Sequence, residues 1–218
     1  MNLRELEELV RKGEGQRLEF KLKAAYPEKI VREMVAFANS GGGQLFVGVD
    51  DDGKIPGCKF AEEERYAIEK ALSSHAKPKI NYRFEFIPIN RKRSVLHYNI
   101  FETRRKPIYY LHDPSKRGKA FVRVDDKSMQ ASKEMVEILK RSKNKKSYPI
   151  SLNTSARLLF QYLDTHGKIT LEDFVDLSQL TRNRASQMLV NLVISNILNI
   201  EVGDRMDFYS MKNAGSKN

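Results

Sequence analysis

Nine basic side chains fall between residues 91 and 119: Arg91, Lys92, Arg93, Arg104, Arg105, Lys106, Lys116, Arg117 and Lys119. Only two acids, Glu102 and Asp113, stand among them. Guanidinium and ammonium groups at that density neutralise phosphate oxygens, and sequence-independent affinity for nucleic acid rests on such contacts. Tyr109 and Tyr110 lie in the same stretch. They suit either base stacking against a single strand or the packing of a half-buried β-strand. A second candidate set is Thr181-Arg182-Asn183-Arg184, with Gln187 one turn further on. Arg, Asn and Gln are the types that reach base edges and phosphates from the first turns of a recognition helix.

The charge is unevenly spread. The chain has 218 residues and a formal net charge of +11. From Tyr148 to the end, seven basic residues meet seven acidic ones, so the excess belongs to the first 147 residues. A polyanionic partner follows, nucleic acid ahead of a membrane surface. No run approaches 18 apolar residues, so no transmembrane helix is expected. The charged amphipathic start is unlike a secretion signal. Cys58 stands alone, which excludes an internal disulfide framework and a multi-cysteine zinc site. A cytoplasmic location is the expectation. His75, His97, His112 and His166 show no spacing that would make a metal cluster.

The elements that must carry these residues follow from periodicity. Helical spacing covers 3–11, 28–39 and 62–75, the last stopping before Pro78. Alternation marks strands near 17–21, 44–49, 80–87, 94–102 and 120–124. On the first of these, Leu18, Phe20 and Leu22 are left for a core, with Glu19 and Lys21 on the opposite face. Asn90-Arg91-Lys92-Arg93 reads as a hairpin with a basic tip, and 112–118 as a basic loop. The run Gly41-Gly42-Gly43 follows a helix and precedes a strand. A phosphate cradle has the reverse order, strand to glycines to helix N-terminus, so these glycines are assigned to a helix cap and turn. Ser132 caps a closing helix to about Arg141.

Lys140-Arg141-Ser142-Lys143-Asn144-Lys145-Lys146 and then Pro149 mark a boundary. Beyond it, Asn153 or Thr154 starts one helix, Thr170 caps a second and Thr181 a third. Two short apolar runs then flank Gly203-Asp204 as a hairpin. Three helices and a hairpin resemble a winged helix-turn-helix.

A longer pattern carries a family resemblance. Glu14-x4-Glu19-Phe20-Lys21, Ala36-Phe37-Ala38-Asn39, the glycines and Gly48-Val49-Asp50-Asp51 resemble the Schlafen/AlbA-like domain, with further matches at Lys106-Pro107, at Phe121-Val122-Arg123-Val124 and at Ser128 and Ala131-Ser132. The resemblance covers about residues 1–140 and implies an α+β fold there, a mixed-sheet Schlafen/AlbA-like domain, and the charge run sets a basic linker over 141–149 behind it. A small winged helix over 150–212 and a disordered tail over 213–218 complete the expected layout. Relatives of this kind are described both as DNA binders and as RNA-cleaving enzymes. For the cleaving members the resemblance implies a Mg²⁺ or Mn²⁺ site on Glu14, Glu19 and Asp51, with Asp50 as the alternative third ligand. Hard carboxylate oxygens would suit such a cation. The leading reading is a cytoplasmic DNA-binding transcriptional regulator without a cofactor, favouring DNA over RNA and acting as a homodimer. A metal-dependent ribonuclease and a winged-helix protein-docking adaptor stand as alternatives.

Overall fold

A computed structural model describes residues 1–113, 115–142 and 153–212 of the chain. The expected tail, and the expected linker from residue 143 onward, lie outside the described residues. Contacts divide the chain into two compact units, Met1–Gln130 and Ala131–Asn218.

The first unit is built on a four-stranded sheet in the order β1-β2-β5-β4. Its strands are β1 (Leu18–Lys21), β2 (Gly43–Val47), β4 (Tyr82–Asn90) and β5 (Arg93–Ile100). β1 and β2 run parallel, joined through helix α2 (Pro27–Asn39), while β5 pairs antiparallel with both β2 and β4. β2 lies inside this sheet, and both of its faces are covered. Leu45 and Val47 join a core with α2 and α3 (Ala61–His75), whereas Phe46 points to the opposite core with Leu6 of α1 (Leu3–Lys12). A strand buried on both sides reads as a continuous apolar run, as Leu45-Phe46-Val47 does. A second sheet has the order β3-β6-β7-β8, from β3 (Ala76–Lys77), β6 (Tyr109–Tyr110), β7 (Lys119–Val124) and β8 (Lys127–Gln130).

Local chemistry sets the element ends. Asn2 and Glu5 form a capping box on α1, and Pro27 opens α2, where its missing N–H costs nothing. At the far end of α2 the Gly42 N–H donates to the Phe37 carbonyl at 2.8 Å. Gly42 has φ +82°, and a Cβ there would sit 2.7 Å from the Ile100 carbonyl oxygen. The glycines are therefore helix cap and turn. Asn39, the last residue of α2, is buried. Its amide donates to the carbonyls of Ile108 and Phe121, both at 2.9 Å, and its Oδ1 accepts from the Ile108 N–H at 2.8 Å. One side chain thereby ties α2 to β7 and to the entry of β6.

The second unit holds α4 (Lys133–Arg141), α5 (Thr154–His166), α6 (Leu171–Ser178) and α7 (Arg182–Ile194). A small antiparallel sheet accompanies them, β10 (Leu198–Glu201), β11 (Phe208–Met211) and β9 (Lys168–Ile169), in the order β10-β11-β9. Leu159, Phe174, Leu189 and Tyr209 pack in its core. This is a winged-helix arrangement. Ser132, Asn153 and Thr170 cap their helices through side-chain oxygens, but the Thr181 side chain makes no cap bond. The α4 helix, read from sequence as closing the first domain, packs against α7: Ser186 Oγ donates to Glu134 Oε1 at 2.7 Å, and Arg141 Nη2 to Asn191 Oδ1 at 2.9 Å. Among the described residues no helix is long and apolar enough to cross a membrane.

Two outcomes follow. Asn39→Ala leaves two carbonyls and an N–H buried without partners, so urea unfolding should show a loss of about 2–4 kcal/mol. An unchanged midpoint would remove Asn39 from its anchoring role. Cys58 is 5% exposed and burial pushes its thiol up to about 11. In native protein at neutral pH it should resist a thiol reagent, and react promptly once urea unfolds the chain.

Candidate nucleic-acid interface and the buried carboxylate site

The nine basic residues separate into three places. Arg91 and Lys92 are exposed at the β4–β5 turn, where Asn90 pairs with Arg93. Arg93 is partly committed to the fold, since its Nη1 donates to the Gly57 carbonyl at 3.0 Å. Arg104 and Arg105 are exposed between β5 and β6, and the Lys106 ammonium pairs with Glu102. Lys116, Arg117 and Lys119 reach a cavity of about 470 Å³ beside α2. That cavity is also lined by Lys29 and Arg32 of α2 and by Tyr110, His112 and Phe121. Two acids, Glu28 and Asp113, share its lining. Hydrogen bonds from Ser115 hold the Asp113 carboxyl below its ordinary range, and Lys116 approaches it at 3.5 Å.

Sequence reasoning missed Lys29 and Arg32. Their signal was present: the two are three apart on α2, at positions outside its apolar stripe. What the sequence does not display is that a loop some 85 residues later returns to the same helix face.

The carboxylates expected to hold a metal are arranged differently. Glu19 is on the face of β1 opposite Leu18 and Phe20, as alternation implies, but that face is covered. Glu19 is 5% exposed. Arg123 of β7, its side chain fully buried, donates through Nη1 to Glu19 Oε2 at 2.8 Å and to Glu33 Oε2 at 3.1 Å. Its Nη2 donates to the Gly15 carbonyl at 2.7 Å, and its guanidinium lies 4.7 Å from the centre of the Phe37 ring. The Lys21 ammonium pairs with Glu19, and Ser128 Oγ donates to Glu33. Glu14 Oε1 accepts from the Phe20 N–H at 2.7 Å and stands 3.9 Å from Lys21 Nζ. Burial is the main influence on the Glu19 carboxyl and raises it above its ordinary range, with Lys21 pulling the other way.

The fit of a divalent cation can be judged from this geometry. Glu14, Glu19 and Asp51 do not come together: Asp51 is exposed in the turn after β2, and both oxygens of Glu19 already meet cations. Among the described residues no three His, Cys, Asp or Glu side chains are placed to hold a metal. As arranged, the expected trio does not fit the ion, and Glu19 serves as a buried counter-charge. Leu22, expected in the core, is 46% exposed.

In the second unit Arg182, Asn183, Arg184 and Gln187 are all exposed on the first turns of α7. Arg182 Nη1 donates to Glu172 Oε1 of α6 at 2.6 Å. On the side of α7 that meets α4, Ser186 and Asn191 are bonded to that helix and Val190 between them is 2% exposed.

Removing Arg123 strands Glu19 and Glu33 together, and uncoupling a buried pair costs about 3–5 kcal/mol. Arg123→Met should therefore lower the urea midpoint sharply at pH 7. A carboxyl raised in the folded state adds stability below its unfolded pKa and loses it as pH rises through the folded one. With its cation gone Glu19 rises further, so the deficit against the parent chain should narrow towards about pH 4. A deficit independent of pH would mean that the charge pairing is incidental to the packing.

Comparison with known proteins places this architecture. No curated protein matches the chain. It is similar to the N-terminal domain of a RecG-related protein from Nitrosomonas europaea, at 20% identity and a TM-score of 0.42, over 56% of this chain and 89% of that one. It is also similar to the DIP2311 protein from Corynebacterium diphtheriae, at 16% identity and a TM-score of 0.44, over 80% of this chain and 32% of that one. The family described as Schlafen, AlbA_2 matches residues 14–132, more than half of the chain. That span runs from Glu14 through Asn39 to Arg123 and Ser128, the residues that tie β1, α2 and β7 together, and the chain belongs to the Schlafen AlbA_2 family.

Proposed function

We propose that this chain is a nucleic-acid-binding protein, a DNA-binding transcriptional regulator that works as a homodimer and prefers DNA to RNA. The observation that carries the reading is the convergence of Lys29 and Arg32 with Lys116, Arg117 and Lys119 on one cavity, from segments far apart in sequence. Cations gathered from two elements make a phosphate-neutralising surface that a merely solvated charge run does not. Arg91, Lys92, Arg104 and Arg105 extend the stock of exposed charge in the same unit. Arg182, Asn183, Arg184 and Gln187 supply side chains suited to base edges in the second. Family membership agrees with a nucleic-acid partner. The protein-docking alternative draws on one observation, the bonding of α4 to α7 at Ser186 and Asn191.

Fluorescence anisotropy with labelled duplex DNA and duplex RNA tests the reading. With roughly five phosphate contacts, affinity should fall by about two to three orders of magnitude between 50 and 200 mM salt. Lys116→Ala with Arg117→Ala should weaken all sequences alike and flatten the salt slope by about 1 per charge removed. Arg182→Ala or Arg184→Ala should erase discrimination between DNA sequences. Salt-dependent binding with no discrimination to erase would favour the docking role for the second unit. No binding to either duplex at 50 mM salt would end the nucleic-acid reading.

A further inference from the structure

The cavity beside α2 adds an apolar floor to the cations that converge on it. Tyr110 and Phe121 are each only 9% exposed, with ring planes at 79° and centroids 5.9 Å apart. Both line the cavity, beneath a rim of exposed Lys29 and Lys119. Arg32 leans over Phe121, with its guanidinium carbon 5.7 Å from the ring centre. One of its nitrogens, Nε, is buried without a hydrogen-bond partner, and Nη2 makes a 3.3 Å contact with Glu33. Burial pushes the Tyr110 phenol above its ordinary range, so the ring stays neutral. Asp113 is already engaged by Ser115 and Lys116, which leaves Glu28 as the one lining acid with no such engagement described.

Two rings set nearly at right angles can take a flat base face-on to one and edge-on to the other, while the cationic rim holds an attached phosphate by charge. A volume near 470 Å³ suits one such unit and not a continuous duplex. We propose that this cavity takes a single nucleoside monophosphate, its base against Tyr110 and Phe121 and its phosphate on Lys29, Arg32 and Lys119. The same chemistry is offered by a free mononucleotide and by the phosphorylated end of a single strand. The inference deepens the nucleic-acid reading of this surface by adding a site for one unpaired unit.

The experiment uses the full chain and two sets of probes. Calorimetry compares adenosine monophosphate with inorganic phosphate. Anisotropy compares single-stranded 12-mers that carry a phosphate at the 5′ end, at the 3′ end or at neither. A stacked base is worth about tenfold or more in affinity. Adenosine monophosphate should therefore bind at least about tenfold tighter than phosphate, or one phosphorylated end should beat the bare strand by a similar factor. The first result assigns the free nucleotide as the source and the second assigns the strand end. Lys29→Ala with Lys119→Ala, two exposed positions whose loss leaves the core intact, should weaken adenosine monophosphate about tenfold or more and erase the preference for a phosphorylated end. Phe121→Leu, which keeps an apolar filling, should lose the part that depends on the base. If neither preference exists, or if adenosine monophosphate affinity and the end preference are both unchanged in Lys29→Ala with Lys119→Ala, the site is wrong even when salt-dependent duplex binding is intact. Loss of all strand binding with nucleotide binding kept would overturn the regulator reading and leave this one standing.

Discussion

A single guanidinium holds the first unit in register. Arg123 arrives on β7, in the second sheet, and spends its two terminal nitrogens on Glu19 of β1, Glu33 of α2 and the Gly15 carbonyl. Those groups belong to three separate stretches of chain, and none of the pairings is local. Two carboxylates around one buried arginine would be an unfavourable exchange for an apolar cluster in energy alone, because desolvation consumes most of the Coulomb gain. What the arrangement provides is uniqueness. A slip of β7 by one residue would put Val122 or Val124 where the guanidinium belongs, and both acids would face an apolar wall. Lys21 and Ser128 complete the partners that Arg123 leaves unsupplied.

Asn39 repeats the device without charge. Its side chain reaches across to Ile108 and Phe121 from the last turn of α2, where helix carbonyls have begun to run out of donors. The turn through Gly42 then drops the chain directly into β2, whose Leu45, Phe46 and Val47 serve two cores at once. Helix α2 is thus anchored at its middle by Glu33 and at its end by Asn39. Lys29 and Arg32, on neighbouring positions of the same helix, line the cavity beside these anchors.

Much of this was legible in the residues. The run from Ala36 to Gly48, the hairpin at Asn90–Arg93 and the caps at Ser132, Asn153 and Thr170 all depend on local rules, and local rules can be read along a chain. The placement of Glu19 was half legible. Alternation tells which side chains share a face of β1, but not whether that face meets water or another sheet. Arg123 sits in an apolar strand with no mark of its own, and only tertiary structure shows that two acids wait for it. β8 escaped notice because Lys127-Ser128-Met129-Gln130 carries almost no apolar signal, pairing instead through its backbone with β7. The cavity was invisible in outline for the same reason: its two walls are far apart in the chain.

The cover that α4 lays over α7 alters what a helix of that kind can offer. With Val190 sealed and Ser186 and Asn191 bonded to α4, the fully exposed side chains of α7 are Arg182, Asn183, Arg184 and Gln187, all in its first turn and a half. A groove met by a tip in place of a flank is touched over a short arc, a few base pairs at most. Information from one such encounter is small, since each correctly read pair contributes only about 1–3 kcal/mol of discrimination. Selectivity in a genome would then be a property of repetition, several weak readings held at fixed spacing, and not of any one module.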